Sequence, residues 1–252
     1  LHPRVRRQRQ MCIRDSVNKV IELSHGDYII LADGDDISLP NRVKLSVEKI
    51  DELGVLSMTF NMNIIDSVSR YIGPFRTVGE NTVIFSIEDF LNRQYYSGGA
   101  SRVIKRKIVE QFGYLNQDCQ TEDSVFNFRA FLTTGLGYCS IPMVNYRVHD
   151  NNISSPTNLL VGFDPKLIYK QYKKDLDIAQ KNGIINKCKY DLILRHLVHH
   201  RDKEEAIRKI YIKKMLVSRL AIYFPMIFSN KYSLRTKLSF LKTILSWKIN
   251  KF

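Results

Sequence analysis

Apolar positions along the chain fall into two regimes. Up to about residue 150, short apolar runs alternate with amphipathic stretches, separated by glycines and acidic turns; from Asp164 onward a helical period dominates with few turn signals. Val17, Val20 and Ile21 predict a short helix, and Gly26 is placed to close it in a left-handed conformation. Asp27 to Ala32 (DYIILA) is an apolar run between a glycine and an acidic turn, the pattern of a strand buried in a parallel sheet. It leads directly into Asp33-Gly34-Asp35-Asp36. Pro40 then suits a helix start, with Val43, Val47 and Ile50 forming one apolar face before Gly54, and Val55 to Phe60 resumes as a strand. Strand, acidic turn, helix, strand predicts an α/β domain. Its acidic cluster would lie outside the carboxyl end of a strand, where open α/β sheets place ligands.

Further along, Asn61 to Thr82 reads as irregular, and Ser86 with Asp89 has the spacing of a helix cap. Ser97-Gly98-Gly99-Ala100 is a small-residue loop. Helices are predicted from about Lys105 to Phe112, closed by Gly113, and from Glu122 to Thr134, capped by Thr121 and closed by Gly135. Ile141 to Val148 is extended and ends in His149-Asp150-Asn151-Asn152. A boundary is expected between 155 and 165.

Composition narrows the class. The chain has 252 residues, 44% hydrophobic and 25% charged, which is globular and argues against a disordered or collagenous chain. Its 4 cysteines are scattered without a Cys-x-x-Cys pair, so a zinc ribbon is not expected and a reducing compartment is. The longest apolar candidate, Met215 to Ser229, holds Arg219 and Pro225 and is shorter than the roughly 18 residues of a membrane span. The net charge of +14 sits at the two ends, and 17–202 is neutral, unlike a fold that grips nucleic acid. Residues 1–16 carry five arginines and lack an apolar core for a secretory signal, so they read as a non-native or disordered segment.

Three carboxylates within four residues repel one another unless water or a cation neutralises them. Asp is a hard oxygen ligand suited to Mg²⁺ or Mn²⁺, which protein sites usually hold with one or two carboxylates plus substrate phosphates. A solvated turn remains the plain alternative. A calcium EF-hand loop fails, because its twelfth position is Lys44 where a Glu is required.

At this point the residues carry a resemblance. LADGDDISLPNR resembles the D-x-D segment of family 2 glycosyltransferases of the GT-A fold. Gln120-Thr121-Glu122-Asp123-Ser124, heading a helix, resembles the family's Glu-Asp motif, whose helix carries an Arg six residues after the Asp; here that is Arg129. Tyr146-Arg147-Val148-His149, with Asn152 and Ser154 following, resembles the tail of many bacterial members. The likeness covers about 17–155. It implies a partial GT-A (nucleotide-diphospho-sugar transferase, Rossmann-like) domain over 17–158, lacking the first strands and base-reading Asp of the family, and then a helical, basic C-terminal extension over 159–252.

The resemblance also implies roles. The activity would be inverting transfer of a sugar from a nucleotide-diphosphate donor, with a UDP-sugar expected, to a saccharide or lipid-linked acceptor. The pathway would be bacterial surface polysaccharide or lipopolysaccharide synthesis. Asp123 would be the base, at the dipole end of a helix that suits a carboxylate, and Glu122 would position the acceptor or the base. Asp33, Gly34, Asp35, Asp36, Gly98, Gly99, Arg129 and Arg147 would bind the donor. Asp35, Asp33 and His149 would hold Mn²⁺ or Mg²⁺. For Glu122-Asp123 the plain alternative is dipole complementation at a helix start, and for His149 a hydrogen-bonded structural residue. His196 and His200 share a helix face at ligand spacing without a carboxylate, and read as a polar face.

From Ile207 to Phe252, basic residues interleave with apolar and aromatic ones. Leu216, Leu220 and Phe224, or Ile244, Trp247 and Ile249, with Lys209, Lys213, Lys237 and Lys242, read as amphipathic helices. They suit the anionic inner face of the cell membrane, which gives a cytoplasmic, peripheral location, rather than nucleic acid. Two alternatives stand: an inactive truncated remnant that only binds a membrane or partner, and a Mg²⁺ phosphotransferase, which the second and third motifs disfavour.

Overall fold

The computed structural model describes residues 16–77, 79, 81–149, 162–212, 216–229 and 232–245. Residues 1–15, the stretch around the expected boundary at 150–161, and Trp247 and Ile249 lie outside them. Helix α1 (16–23) leads to β1 (Tyr28–Ile30), the acidic turn, β2 (Ile37–Ser38) and α2 (Arg42–Glu52). Then come β3 (Ser57–Ile65), β4 (Tyr71–Pro74), β5 (Thr82–Phe85) and α3 (Ile87–Asn92). A 3-10 turn (Gly99–Ser101), β6 (Val103–Lys105), α4 (Lys107–Phe112), α5 (Glu122–Leu132) and β7 (Leu136–Arg147) complete the α/β part. Four helices follow: α6 (Pro165–Lys181), α7 (Lys187–Ile212), α8 (Leu216–Phe228) and α9 (Leu234–Leu245).

The sheet runs β1-β6-β3-β7-β2, with β4 beside β3 and β5 beside β7. Only β3 and β7 pair in parallel, from Ser57↔Leu136 to Ile65↔Arg147; the other ladders among the described residues are antiparallel. The strand expected inside a parallel sheet is therefore an edge strand, β1, antiparallel to β6 through Ile29↔Ile104. Only its Ile29 is buried, so its apolar run reflects packing on one face and partial cover on the other. Since β1 and β2 are the outer strands of the order, the acidic turn crosses the end of the sheet.

Three local expectations change. α1 ends at residue 23, and Gly26 has no positive φ. The carbonyls of Ile21, Ser24 and Gly26 instead accept bonds from the Arg106 guanidinium at 3.3, 2.8 and 2.7 Å, which satisfies the helix end without a left-handed glycine. α2 is rotated from the expected face: Arg42, Ser46 and Ile50 are buried, whereas Val43 is 64% exposed. The stretch 61–82 is not irregular throughout, because β3 continues to Ile65 and β4 pairs with it. Elsewhere the turn chemistry holds. Ser86 and Asp89 form a reciprocal capping box, and Gly113 and Gly135 close α4 and α5 at φ 73 and 88.

Two apolar layers flank the sheet. One joins Met58, Phe60, Met62, Val103 and Val144 to Ile50 of α2. The other joins Ile104, Phe112, Val125, Phe126 and Phe128 to Leu176 and Ala179 of α6 and Ile193 and Leu197 of α7. The helices after Asp164 thus enter the same core as the sheet. Tyr172 of α6 stacks on Phe128 at 4.5 Å between ring centres and donates to the Ser124 carbonyl at 3.2 Å. This packing fixes the first turn of α5, on which the site depends.

Candidate active site

The acidic turn is held from three directions. The Asp36 carboxylate accepts the Arg147 backbone N–H at 2.8 Å, and the Asp35 carbonyl accepts Arg147 Nε at 2.8 Å. His149 Nε2 lies 3.1 Å from Asp35 Oδ2. From below, Arg42, only 3% exposed, donates to the carbonyls of Leu31 and Ala100 and to Ser38 Oγ, tying the turn to α2 and to the 3-10 turn. Arg147 also donates to the Asp66 carbonyl and to Ser69 Oγ, both at 3.0 Å. Its guanidinium thus joins the acidic turn to the β3–β4 loop.

On the α5 side, Thr121 caps the helix by accepting the Ser124 N–H, which leaves Glu122 and Asp123 in the first turn. The Asp123 carboxylate lies against Gly99 so closely that a Cβ there would fall 1.9 Å from Oδ2. Gly99 is therefore an opening for a carboxylate as well as a turn residue. Behind Asp123, fully buried Arg102 sets Nε 3.7 Å from Oδ1 and donates Nη1 to Ser57 Oγ at 3.1 Å. Gly98 packs on Met62, where a Cβ would meet Cε at 2.8 Å, and Gly34 faces open space.

Electrostatics bind the two halves into one site. Asp33 reaches solvent, yet the protein atoms around it desolvate its carboxyl; that desolvation, then the Asp123, Asp36 and Asp35 charges, raise its pKa to about 6. Glu122 is raised to about 7, first by burial and then by Asp123, with Asp33 adding. Asp36 is shifted up as well, chiefly by desolvation, and its Oδ2 is buried without a hydrogen-bond partner. Such crowding of like charge is costly for folding and is typical of places that bind cations or move protons.

Arg129 does not join them. It is fully buried, donates Nε and Nη2 to Asp175 at 2.8 and 3.2 Å and Nη1 to the Gly113 carbonyl at 2.8 Å, and so is not available to a donor at the acidic turn. Six positions later on α5 than Asp123, it faces the opposite side, toward α6. Arg42 and Arg102 were not anticipated. The signal for Arg42 was its spacing with Ser46 and Ile50, a helical stripe whose small serine leaves room for a guanidinium; nothing in the local pattern marked Arg102. His196 and His200 lie on α7, away from the acidic turn. With Phe90, Tyr95, Tyr172 and Arg201 they line a separate cavity of about 280 Å³, where burial and the Arg93 charge push His200 down to about 3.

Among the described residues no three His, Cys, Asp or Glu side chains converge as a metal site. The Asp35–His149 pair at the acidic turn is the nearest approach to one, a carboxylate with an imidazole.

No protein-family model matches the chain, and no curated protein matches it. Solved structures do. S. aureus TarS matches 94% of this chain and 41% of its own, at 11% identity and a TM-score of 0.52. TarS 1-349, crystallised in complex with UDP-GlcNAc, matches 93% of this chain and 71% of its own, at 11% identity and a TM-score of 0.53. Without that ligand the figures are 95%, 72%, 10% and 0.51. The likeness is one of fold. The chain shares with TarS an α/β domain with helices after it, and spans about two-fifths of the TarS chain.

Proposed function

We propose that this chain is a nucleotide-sugar glycosyltransferase site: it binds a nucleotide-diphosphate sugar at the acidic turn and transfers the sugar to an acceptor hydroxyl held at the first turn of α5. The observation that carries this reading is the meeting of Asp33 with Glu122 and Asp123, far apart in sequence, where the Asp123 charge raises the proton affinity of both Asp33 and Glu122 and Asp33 adds to that of Glu122. The fold shared with TarS, which was crystallised with UDP-GlcNAc, supports a UDP-sugar as donor.

In this reading Asp123 takes the acceptor proton as the hydroxyl attacks the anomeric carbon, and the nucleotide diphosphate leaves from the opposite face with inversion. Gly99 gives the Asp123 carboxylate its place, and Arg102 holds it from behind. Glu122 orients the acceptor. Arg147 and Arg42 keep the acidic turn rigid, so that Asp33, Asp35 and Asp36 meet the donor in a fixed arrangement.

A divalent cation fits this turn. Asp35 Oδ2 and His149 Nε2 are hard-oxygen and imidazole donors 3.1 Å apart, with the unpartnered Asp36 Oδ2 in the same turn. Of the three residues expected to hold Mn²⁺ or Mg²⁺, Asp35 and His149 lie together and would supply two ligands, with diphosphate oxygens of the donor supplying others. The cation would neutralise charge on the departing diphosphate. The acceptor class, a saccharide or lipid-linked saccharide of bacterial surface polysaccharide or lipopolysaccharide synthesis, follows from the motif resemblance and the basic tail.

The test is transfer, or donor hydrolysis, from a UDP-sugar by the intact chain and by Asp123→Asn. Loss of a general base is worth about 10²–10⁴-fold in turnover, with donor affinity near that of the parent. A loss below about tenfold would remove Asp123 from this role.

A further inference from the structure

The last three helices close on a small core of their own. Ala206 and Ile210 of α7, Tyr223 of α8, and Phe240 and Ile244 of α9 are buried together, with Leu220, Ile222, Met226 and Ile227 packed against them. This corrects the expected amphipathic faces, because Leu220 and Ile244 turn inward rather than out. What turns outward is more unusual. Among the described side chains of α8 the exposed ones, Ala221, Phe224, Pro225 and Phe228, are all apolar, so this part of the helix presents apolar side chains on its outer face as well as its inner one. A helix at a protein surface normally shows polar residues there. Phe224 is 56% and Phe228 82% exposed.

On the next helix, α9, Leu234 is exposed at 74% and Leu238 at 51%, one turn apart, with exposed Arg235 and Lys242 on the same helix. No Asp or Glu occurs anywhere from Ala206 to Phe252. α8 is 13 residues long, and among the described residues no helix is long and apolar enough to cross a membrane. Uncovered phenylalanines and leucines with a purely cationic surround match an interfacial surface, where apolar side chains enter the acyl boundary and Lys and Arg meet anionic headgroups.

We infer that the α8–α9 hairpin docks in the plane of an anionic lipid surface through Phe224, Phe228, Leu234 and Leu238, with Arg235 and Lys242 on the headgroups. The charge selects lipid over a second copy of this chain, since two such faces would bring cations together without a carboxylate to meet them. The inference is independent of the sugar-transfer reading, because its test reads vesicle binding and not turnover.

The experiment is co-sedimentation of the intact chain with vesicles of phosphatidylcholine alone and of phosphatidylcholine with phosphatidylglycerol. Binding is expected to the second and to weaken as salt rises. Phe224→Ser with Phe228→Ser should weaken it more than about tenfold with little change in unfolding temperature, because exposed side chains contribute little to the fold. Arg235→Gln with Lys242→Gln should weaken it and flatten its salt dependence. Should the phenylalanine pair lower the unfolding temperature, Leu234→Ser with Leu238→Ser reads the same surface. Absence of binding to the anionic vesicles, binding indifferent to both apolar pairs, or self-association in lipid-free solution that the serines abolish would each overturn the inference.

Discussion

At its last turn, α5 buries Arg129 against Asp175, with Gln171 donating to the same carboxylate at 3.0 Å and the Gly113 carbonyl taking the remaining arm. At its first turn, the same helix sets Glu122 and Asp123 beside Asp33, and the charge there is only partly answered by Arg102. One end is a fully hydrogen-bonded ion pair with no access to solvent. The other is a cluster of like charges that reaches solvent. The contrast separates what holds the fold from what is available for chemistry: a sequence can place charged residues at equal helical intervals, and only their partners decide which role each takes.

Breaking the satisfied end should have the largest effect. Arg129→Met leaves Asp175 buried and unpaired, and such losses cost about 3–5 kcal/mol. Chemical denaturation should show a drop of that size, and adding Asp175→Leu should restore much of it, because no buried charge then remains. A double variant no better than the single one would mean that the pair is not the anchor between α5 and α6.

The open end should respond in the opposite sense. Glu122 is raised from 4.5 to about 7 in the folded chain, so the folded state binds its proton more tightly than the unfolded state does. The penalty for ionising it is therefore fully present above pH 7 and fades as pH falls from about 7 toward 4.5. Glu122→Gln should raise the unfolding temperature at pH 8 by on the order of 2–4 °C, and the gap should close near pH 5. An equal gap at both values would show that the carboxylate does not carry this strain.

Legibility in the sequence followed the same division. Thr121, Ser86, Gly113 and Gly135 act on their own neighbours, and the ends they mark stand where the pattern put them. The acidic turn and the Glu-Asp helix start were visible as motifs. Their meeting was not, because it depends on β1 and β2 lying at opposite edges of the order. β1 itself was misplaced, since three apolar residues look alike at an edge and in the middle of a parallel sheet. Arg129 was misassigned because its partner, Asp175, lies beyond a long stretch of intervening chain, and Arg102 was overlooked because its burial arises from the packing of β3 and α5 around it.

The central claim is that the acidic turn and the first turn of α5 form one donor site that works with a cation. Calorimetric titration of the intact chain with UDP, in Mn²⁺ and in excess chelator, tests it most directly, repeated with Asp35→Ala. Binding that requires Mn²⁺ and is lost in the variant is the expected result. Binding of equal strength in chelator, or unchanged by Asp35→Ala, would contradict the account.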